Sequence, residues 1–396
     1  MNSAEYTYFL EHQAQTTAAP MGLQIKKARG SYITDVHNKR YLDFVAGVSA
    51  CTLGHRHPKV VRAIRRQLRK HLHVMVYGEF VQREPALLVK ELADALPDSL
   101  SCTYLTNSGT EAIEGALKLA KRATGRAEIV AAQLAYHGNT QGAMSVMGYE
   151  ARKSSYRPLI PGTRFVHFNK HEELDKINEH TAAVILETIQ GGAGFICPKD
   201  GYMEAVRKRC DEVGALLILD EIQPGMGRTG KLFAFEHYNI VPDILVTGKG
   251  LGGGLPVGAF CASKDLMQLL QSEPELGHIT TFGGHPLIAA ACRATLEEVT
   301  KGSLMNEALE KELLIRELLV HPAITEIRGK GLMLALIMES DSIAKKLVEA
   351  ALEAGLILFF LLFEPKAVRI TPPLTISKKE LTKGCKQIIT LLNRLC

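Results

Sequence analysis

Short apolar runs, none of them alternating, punctuate the middle of this chain and alternate with amphipathic stretches. Cys102–Leu105, Glu128–Ala131, Ala182–Leu186, Ala215–Leu219 and Ile244–Val246 each read as a strand buried on both faces. With helical stretches between them from Glu84 onward, they predict a mostly parallel sheet covered by helices on both sides. The ends read differently. Residues 1–19 suggest a helix and a loose connection broken at Thr16–Pro20. Leu23–Ile25, Ser31–Asp35 and Arg40–Phe44 alternate as a small antiparallel meander, with turns at Gly30 and His37–Lys39. Pro58 opens a helix carrying Arg62, Arg65, Arg66, Arg69 and Lys70. After Pro286, long helices (Leu287–Glu310, Ser342–Ala354) flank short strands at Ile324–Ile327, Leu332–Met338 and Ala367–Ile370. The expectation is an α/β unit over residues 50–285. A smaller α+β unit would be built from residues 1–49 and 286–396.

Composition narrows the partners. The 396 residues are 46% hydrophobic and 22% charged, with a net charge of +5, as in ordinary globular proteins. The densest basic run has helical spacing, an apolar face and no aromatics to stack on bases, so it reads as a solvated helix surface and not a nucleic-acid site. Eight cysteines show no paired spacing and no cluster of metal ligands, which points to a reducing compartment. The N-terminus lacks the apolar core of a signal peptide, and Gly355–Phe363, the most apolar segment, is too short to span a bilayer. Cytoplasm is the expected location, with no membrane and no metal.

The chemistry concentrates in Ala215–Gly254. One apolar run ends in Asp220-Glu221; a glycine-rich link follows; a second run leads through Thr247-Gly248 to Lys249, then Gly250 and Gly252–Gly254. Open α/β sheets bind ligands at such strand ends. Alone, either residue would be a turn aspartate or an exposed lysine. Together they suit pyridoxal phosphate: a desolvated lysine forms a Schiff base, and an aspartate keeps the ring nitrogen protonated so that the ring draws electrons. Asn107-Ser108-Gly109-Thr110-Glu111 follows another strand and opens a helix, a cradle for an anion that also reads as a capping box. Tyr136-His137-Gly138 after the next strand offers an aromatic for a flat ring and a glycine that keeps the backbone clear.

In this order, these motifs resemble the class III pyridoxal-phosphate aminotransferases of the ornithine and acetylornithine type, on fold type I. The resemblance runs from about Gly30 to Pro373. It also takes in Gly54–Pro58, Glu187–Gly191, Thr280–Pro286 and Arg369–Pro373. It implies a ping-pong transfer from an amino acid or ω-amino donor to a 2-oxo acid; an aminomutase or racemase on the same scaffold is the alternative. Lys249 would carry the Schiff base and the proton, and Asp220 would pair with the ring nitrogen. Ile222 and Tyr136 would cover the two ring faces. Gln223 would approach the phenolic oxygen, with Glu187 supporting that corner and His137 beside it. Ser108, Gly109 and Thr110 would hold the phosphate, joined by Thr281 of a neighbouring subunit, which implies a homodimer with shared sites. Arg369 would grip the substrate carboxylate. Departures fall on substrate residues. Asn139 stands where ornithine-type members have arginine, with Arg152, Arg157 and Arg164 as possible substitutes. Gly192 replaces a glutamate that shields the substrate arginine, which would leave Arg369 uncovered. Val48 and Ala18 replace aromatics, and Pro224 a threonine.

Overall fold

In the computed structural model, which describes residues 4–75, 78–199 and 201–396, the apolar runs do become strands of one sheet. After β1 (Ile25–Arg29), β2 (Tyr32–Asp35) and β3 (Arg40–Asp43) come β4 (Cys102–Thr106), β5 (Glu128–Ala132), β6 (Thr163–Val166), β7 (Thr181–Glu187), β8 (Leu216–Asp220), β9 (Ile244–Gly248) and β10 (Gly258–Ala262). The last seven of these order as β4-β10-β9-β8-β7-β5-β6. β10 runs antiparallel to both neighbours and the remaining pairs are parallel. All residues of β7 and β9 are buried, which is why these runs lack alternation. Two strands escape the pattern: β6 carries Arg164, and β10 is built largely of small residues. Because the parallel strands share a direction, the segments that follow β4, β5, β7, β8 and β9 open at one edge. The candidate chemistry gathers there.

Beyond them lie β11 (Ile324–Lys330), β12 (Met333–Met338), β13 (Leu356–Ile357), β14 (Phe359–Phe360) and β15 (Ala367–Ile370). The meander forms, but its first strand is Ile25–Arg29 and not Leu23–Ile25, and β13 joins it parallel to β3. A third sheet orders β11-β12-β15-β14. The long helix expected over Leu287–Glu310 is two, Pro286–Lys301 and Leu304–Leu318, since Gly302 interrupts the ladder. A final helix, Lys378–Leu395, starts at a capping box of Ser377 and Glu380. Chain ends are stitched together: Thr371 N–H donates to Phe44 O (2.8 Å) and Leu374 N–H to Thr52 O (2.8 Å). One buried cluster runs from Leu42 and Phe44 through Leu219 to Leu392, so these sheets share a core.

Ala46, Gly47, Val48 and Ser49 form a left-handed turn, with φ of 49°, 59°, 59° and 68°. For a β-branched residue such as Val48 this costs on the order of 1–2 kcal/mol. Asp43 imposes it. Its Oδ1 accepts from Val45 N–H (2.8 Å) and Ala46 N–H (3.0 Å), while Oδ2 meets His55 Nε2 at 2.8 Å. The Asp43 contact, with a lesser one to Cys51, outweighs burial and pushes His55 up to about 10. A histidine raised in the folded state stabilises fully below its ordinary value of 6.5 and loses that contribution as pH rises through about 10. His55→Asn is therefore expected to destabilise by on the order of 2 kcal/mol near neutrality and by much less above pH 10. Thermal unfolding across that range reads it, and a pH-independent gap would contradict the ion pair.

Candidate active site

Lys249 follows the last residue of β9 at φ +35°, a left-handed conformation, and lines the cleft beyond the strand ends. Its amine is desolvated, which lowers its pKa; the carboxylate of Asp220 opposes that shift and the cation of Arg369 reinforces it. Asp220 closes β8 and is 4% exposed. Its Oδ2 lies 2.8 Å from His137 Nδ1, and its Oδ1 accepts from Ile222 N–H (3.0 Å). The adjoining Glu221 faces elsewhere. It accepts from Thr188 Oγ1–H, Ala234 N–H and Phe235 N–H at 2.7–2.9 Å, and burial pushes it up to about 7. The Asp-Glu pair thus divides into a residue at the cleft and a buried anchor behind it.

A cleft of about 750 Å³ surrounds Lys249. Ser108, Gly109 and Thr110 form one end, where the helix Gly109–Thr124 begins. Ser108 caps that helix by accepting from Glu111 N–H (3.3 Å). Space is tight: a Cβ on Gly109 would sit 2.6 Å from Ile222 Cδ1, and one on Gly138 would collide with the Thr110 hydroxyl. Thr140 adds an unanticipated partner, its hydroxyl 2.7 Å from that of Thr110. At the other corner Glu187 accepts from Tyr136 N–H (3.1 Å) and Gly191 N–H (2.9 Å), and burial pushes it up to about 7. Gln223 reaches Ser49 Oγ (3.4 Å), which ties the left-handed turn to the site. Tyr136, His137, Asn139, Ile222 and Val48 all line the cleft, whereas Thr281 and Ala18 do not. His137 is 2% exposed against Asp220, so it positions that carboxylate.

Arg369, on β15, reaches the same cleft from the third sheet. It is 5% exposed, its Nε and Nη1 have no partner among the described residues, and burial pushes it down to about 10. Gly192 does not leave it open to solvent. Phe363 takes the space, its ring 2.7 Å from where a Gly192 Cβ would stand and its N–H donating to Gly192 O (2.9 Å). Phe363 stacks on Tyr149 at 4.6 Å, and Phe359, Phe360 and Leu362 continue the apolar wall. This wall is the main feature that sequence reasoning missed, although three phenylalanines within the most apolar run were its signal. Of the three arginines considered as substitutes at Asn139, Arg157 is held by Glu150 and Arg164 by Glu128. Arg152 lies 5.8 Å over the Phe363 ring, with no carboxylate partner among the described residues.

The cradle, the buried lysine and aspartate and the orphaned arginine fit a phosphorylated aldehyde cofactor and a carboxylate substrate. Comparison with known proteins supports the cofactor. This chain belongs to the class-III aminotransferases, whose family profile (Aminotransferase class-III) matches residues 13–392, and it is a pyridoxal-phosphate-dependent transaminase. It is 39% identical over 407 aligned positions to a putrescine aminotransferase of Pectobacterium atrosepticum, covering 98% of this chain and 86% of that one. The ornithine aminotransferase of Toxoplasma gondii superposes with a TM-score of 0.92 at 29% identity, over 100% of this chain and 96% of that one. An amine transaminase from an uncultivated Pseudomonas species, solved with pyridoxal phosphate bound, gives 0.89 at 26% identity, over 97% and 98%. Nothing among these favours an aminomutase or racemase.

Proposed function

We propose that this transaminase works on carboxylate-bearing substrates, with Arg369 as the carboxylate clamp for the 2-oxo acid. The observation that carries this is the buried guanidinium lining the cleft, its Nε and Nη1 without a partner among the described residues. A cation left so is stabilised by an anion that arrives with the substrate. Asn139 supplies no second charge, and Phe363 in place of a shielding carboxylate keeps Arg369 available in both half-reactions. Bound pyridoxal phosphate supplies an aldehyde for the amine and a ring that takes up an electron pair. Lys249, its amine desolvated, would take a proton from the donor's amine-bearing carbon in the first half-reaction and deliver one to the acceptor's carbonyl carbon in the second. Asp220, oriented by His137, would hold a proton at the ring nitrogen, and the amides of Gly109 and Thr110 would hold the phosphate. Ile222 and Tyr136, both lining the cleft, would confine the ring, while Gln223 and Glu187 would meet its phenolic edge.

Arg369→Gln is expected to raise the KM for the 2-oxo acid about ten- to a hundredfold, with a much smaller change in kcat. An unchanged KM would remove Arg369 from this role. Absorbance screening with a panel of amino donors, diamines against α-amino acids, then assigns the donor.

The working unit in this reading is a homodimer in the cytoplasm, where the eight free cysteines stay reduced. The cleft opens between a larger unit (residues 50–285) and a smaller one formed by both ends of the chain. Thr281 lies outside its own cleft on an exposed segment, beside the exposed Leu276, Ile279 and Phe282, and would reach the partner's phosphate. Light scattering is expected to give about twice 43.4 kDa, and Thr281→Val to weaken cofactor retention several-fold. A monomer that retains full activity would refute the shared site.

A further inference from the structure

The basic run that reads as a plain helix surface in the sequence acquires a shape in the fold. Arg62, Arg65, Arg66 and Arg69 lie at i, i+3, i+4 and i+7 on one face of the helix Pro58–Leu68 and its C-cap. Two further arginines come from elsewhere. Gly30 and His55 exchange backbone hydrogen bonds (2.9 Å each way), which sets their neighbours Arg29 and Arg56 side by side. Together the six arginines line one depression of about 620 Å³, floored by Pro58 and Val61, and no carboxylate lines it.

The pairing of charges nearby is selective. On the same helix Lys59 is bound to Glu298; just beyond it Lys70 approaches Glu84 (3.7 Å), and on the adjoining helix Arg293 holds Glu84 and Glu91. Not one of the six arginines makes an ion pair among the described residues. A helix face decorated only for solubility would mix signs. Here the unmatched cations are collected in one hollow.

We propose that this basin is an oligophosphate-binding site, separate from the cofactor cleft. Planar guanidinium forks match phosphate oxygens two at a time, and six of them converging from a strand end, a turn and a helix suit a compact anion of several charges. An extended nucleic acid fits less well. No ring lines the basin to stack a base, and Arg62 and Arg66 also border a second groove carrying Glu91, Asp94 and Glu297, which would repel a backbone running across. The recognised chemistry is the phosphate chain, whether free or at the end of a nucleotide.

Titration calorimetry of the cofactor-loaded enzyme with sodium tripolyphosphate tests this. One site per chain is expected, weakening steeply as salt is raised. The double variant Arg65→Gln/Arg69→Gln should weaken binding by at least about tenfold while transaminase rates and thermal midpoint stay at wild-type values. A nucleoside triphosphate that binds as tripolyphosphate does identifies the bare phosphate chain as the ligand; tighter binding identifies a nucleotide. Absence of saturable binding, affinity unchanged in the variant, loss of cofactor absorbance on titration, or tighter capture of single-stranded nucleic acid would each overturn the proposal.

Discussion

Replacing Lys249 by alanine is expected to lower transamination by at least about a thousandfold, because no other group can move the proton at the reacting carbon. The geometry leaves no understudy. Arg369, a cation of the same cleft, is a guanidinium that stays protonated, and the buried Lys153 lies outside the cleft lining, engaged with Met147 O (2.7 Å) and over Phe165 at 4.3 Å. The loss should appear in kcat, with the visible absorbance of the lysine-bound cofactor gone and the phosphate cradle still able to hold the cofactor. Single-turnover absorbance with a good amino donor separates these effects. Turnover within tenfold of wild type would end the assignment of Lys249 as the proton carrier.

Asp220→Asn is expected to reduce kcat by at least about a hundredfold while the protein folds as before. Asparagine preserves the size and can still accept from Ile222 N–H. It removes the buried charge that His137 and the strand end hold in place. Glu221→Gln is the matched control. That carboxyl is fully buried, is bound to Thr188 and to two backbone amides, and faces away from the cleft, so its replacement should lower stability and leave kcat per folded molecule within a few-fold. Equal losses of kcat in both variants would show the pair acting as a structural unit, and the assignment of Asp220 would fall. Thermal midpoints measured beside the rates distinguish the cases.

Much of this was legible in the residues. The parallel sheet announced itself because strands covered on both faces are apolar throughout, and Asp220 and Lys249 stood out because polar groups directly after such strands lie at its open edge. Short strands were harder. β6 is only four residues long and interrupted by Arg164, β10 lacks the branched apolar residues that mark a strand, and Gly302 alone did not announce that the helix from Pro286 would end there. Gly192 was read as exposing Arg369, whereas Phe363, far along the chain, fills the space beside it.

The sequence by itself determined the reaction class, since the lysine, the aspartate and the phosphate cradle each depend on a strand and the few residues after it. Local order along the chain carries that information. Only the tertiary structure decided what surrounds them: His137 behind Asp220, the left-handed turn that brings Ser49 to Gln223, the apolar wall around Phe363, and Arg29 beside Arg56 in the basic hollow. Each of these is a meeting of segments distant in the chain. Such meetings are fixed by how the sheets share one core, and no periodicity records them.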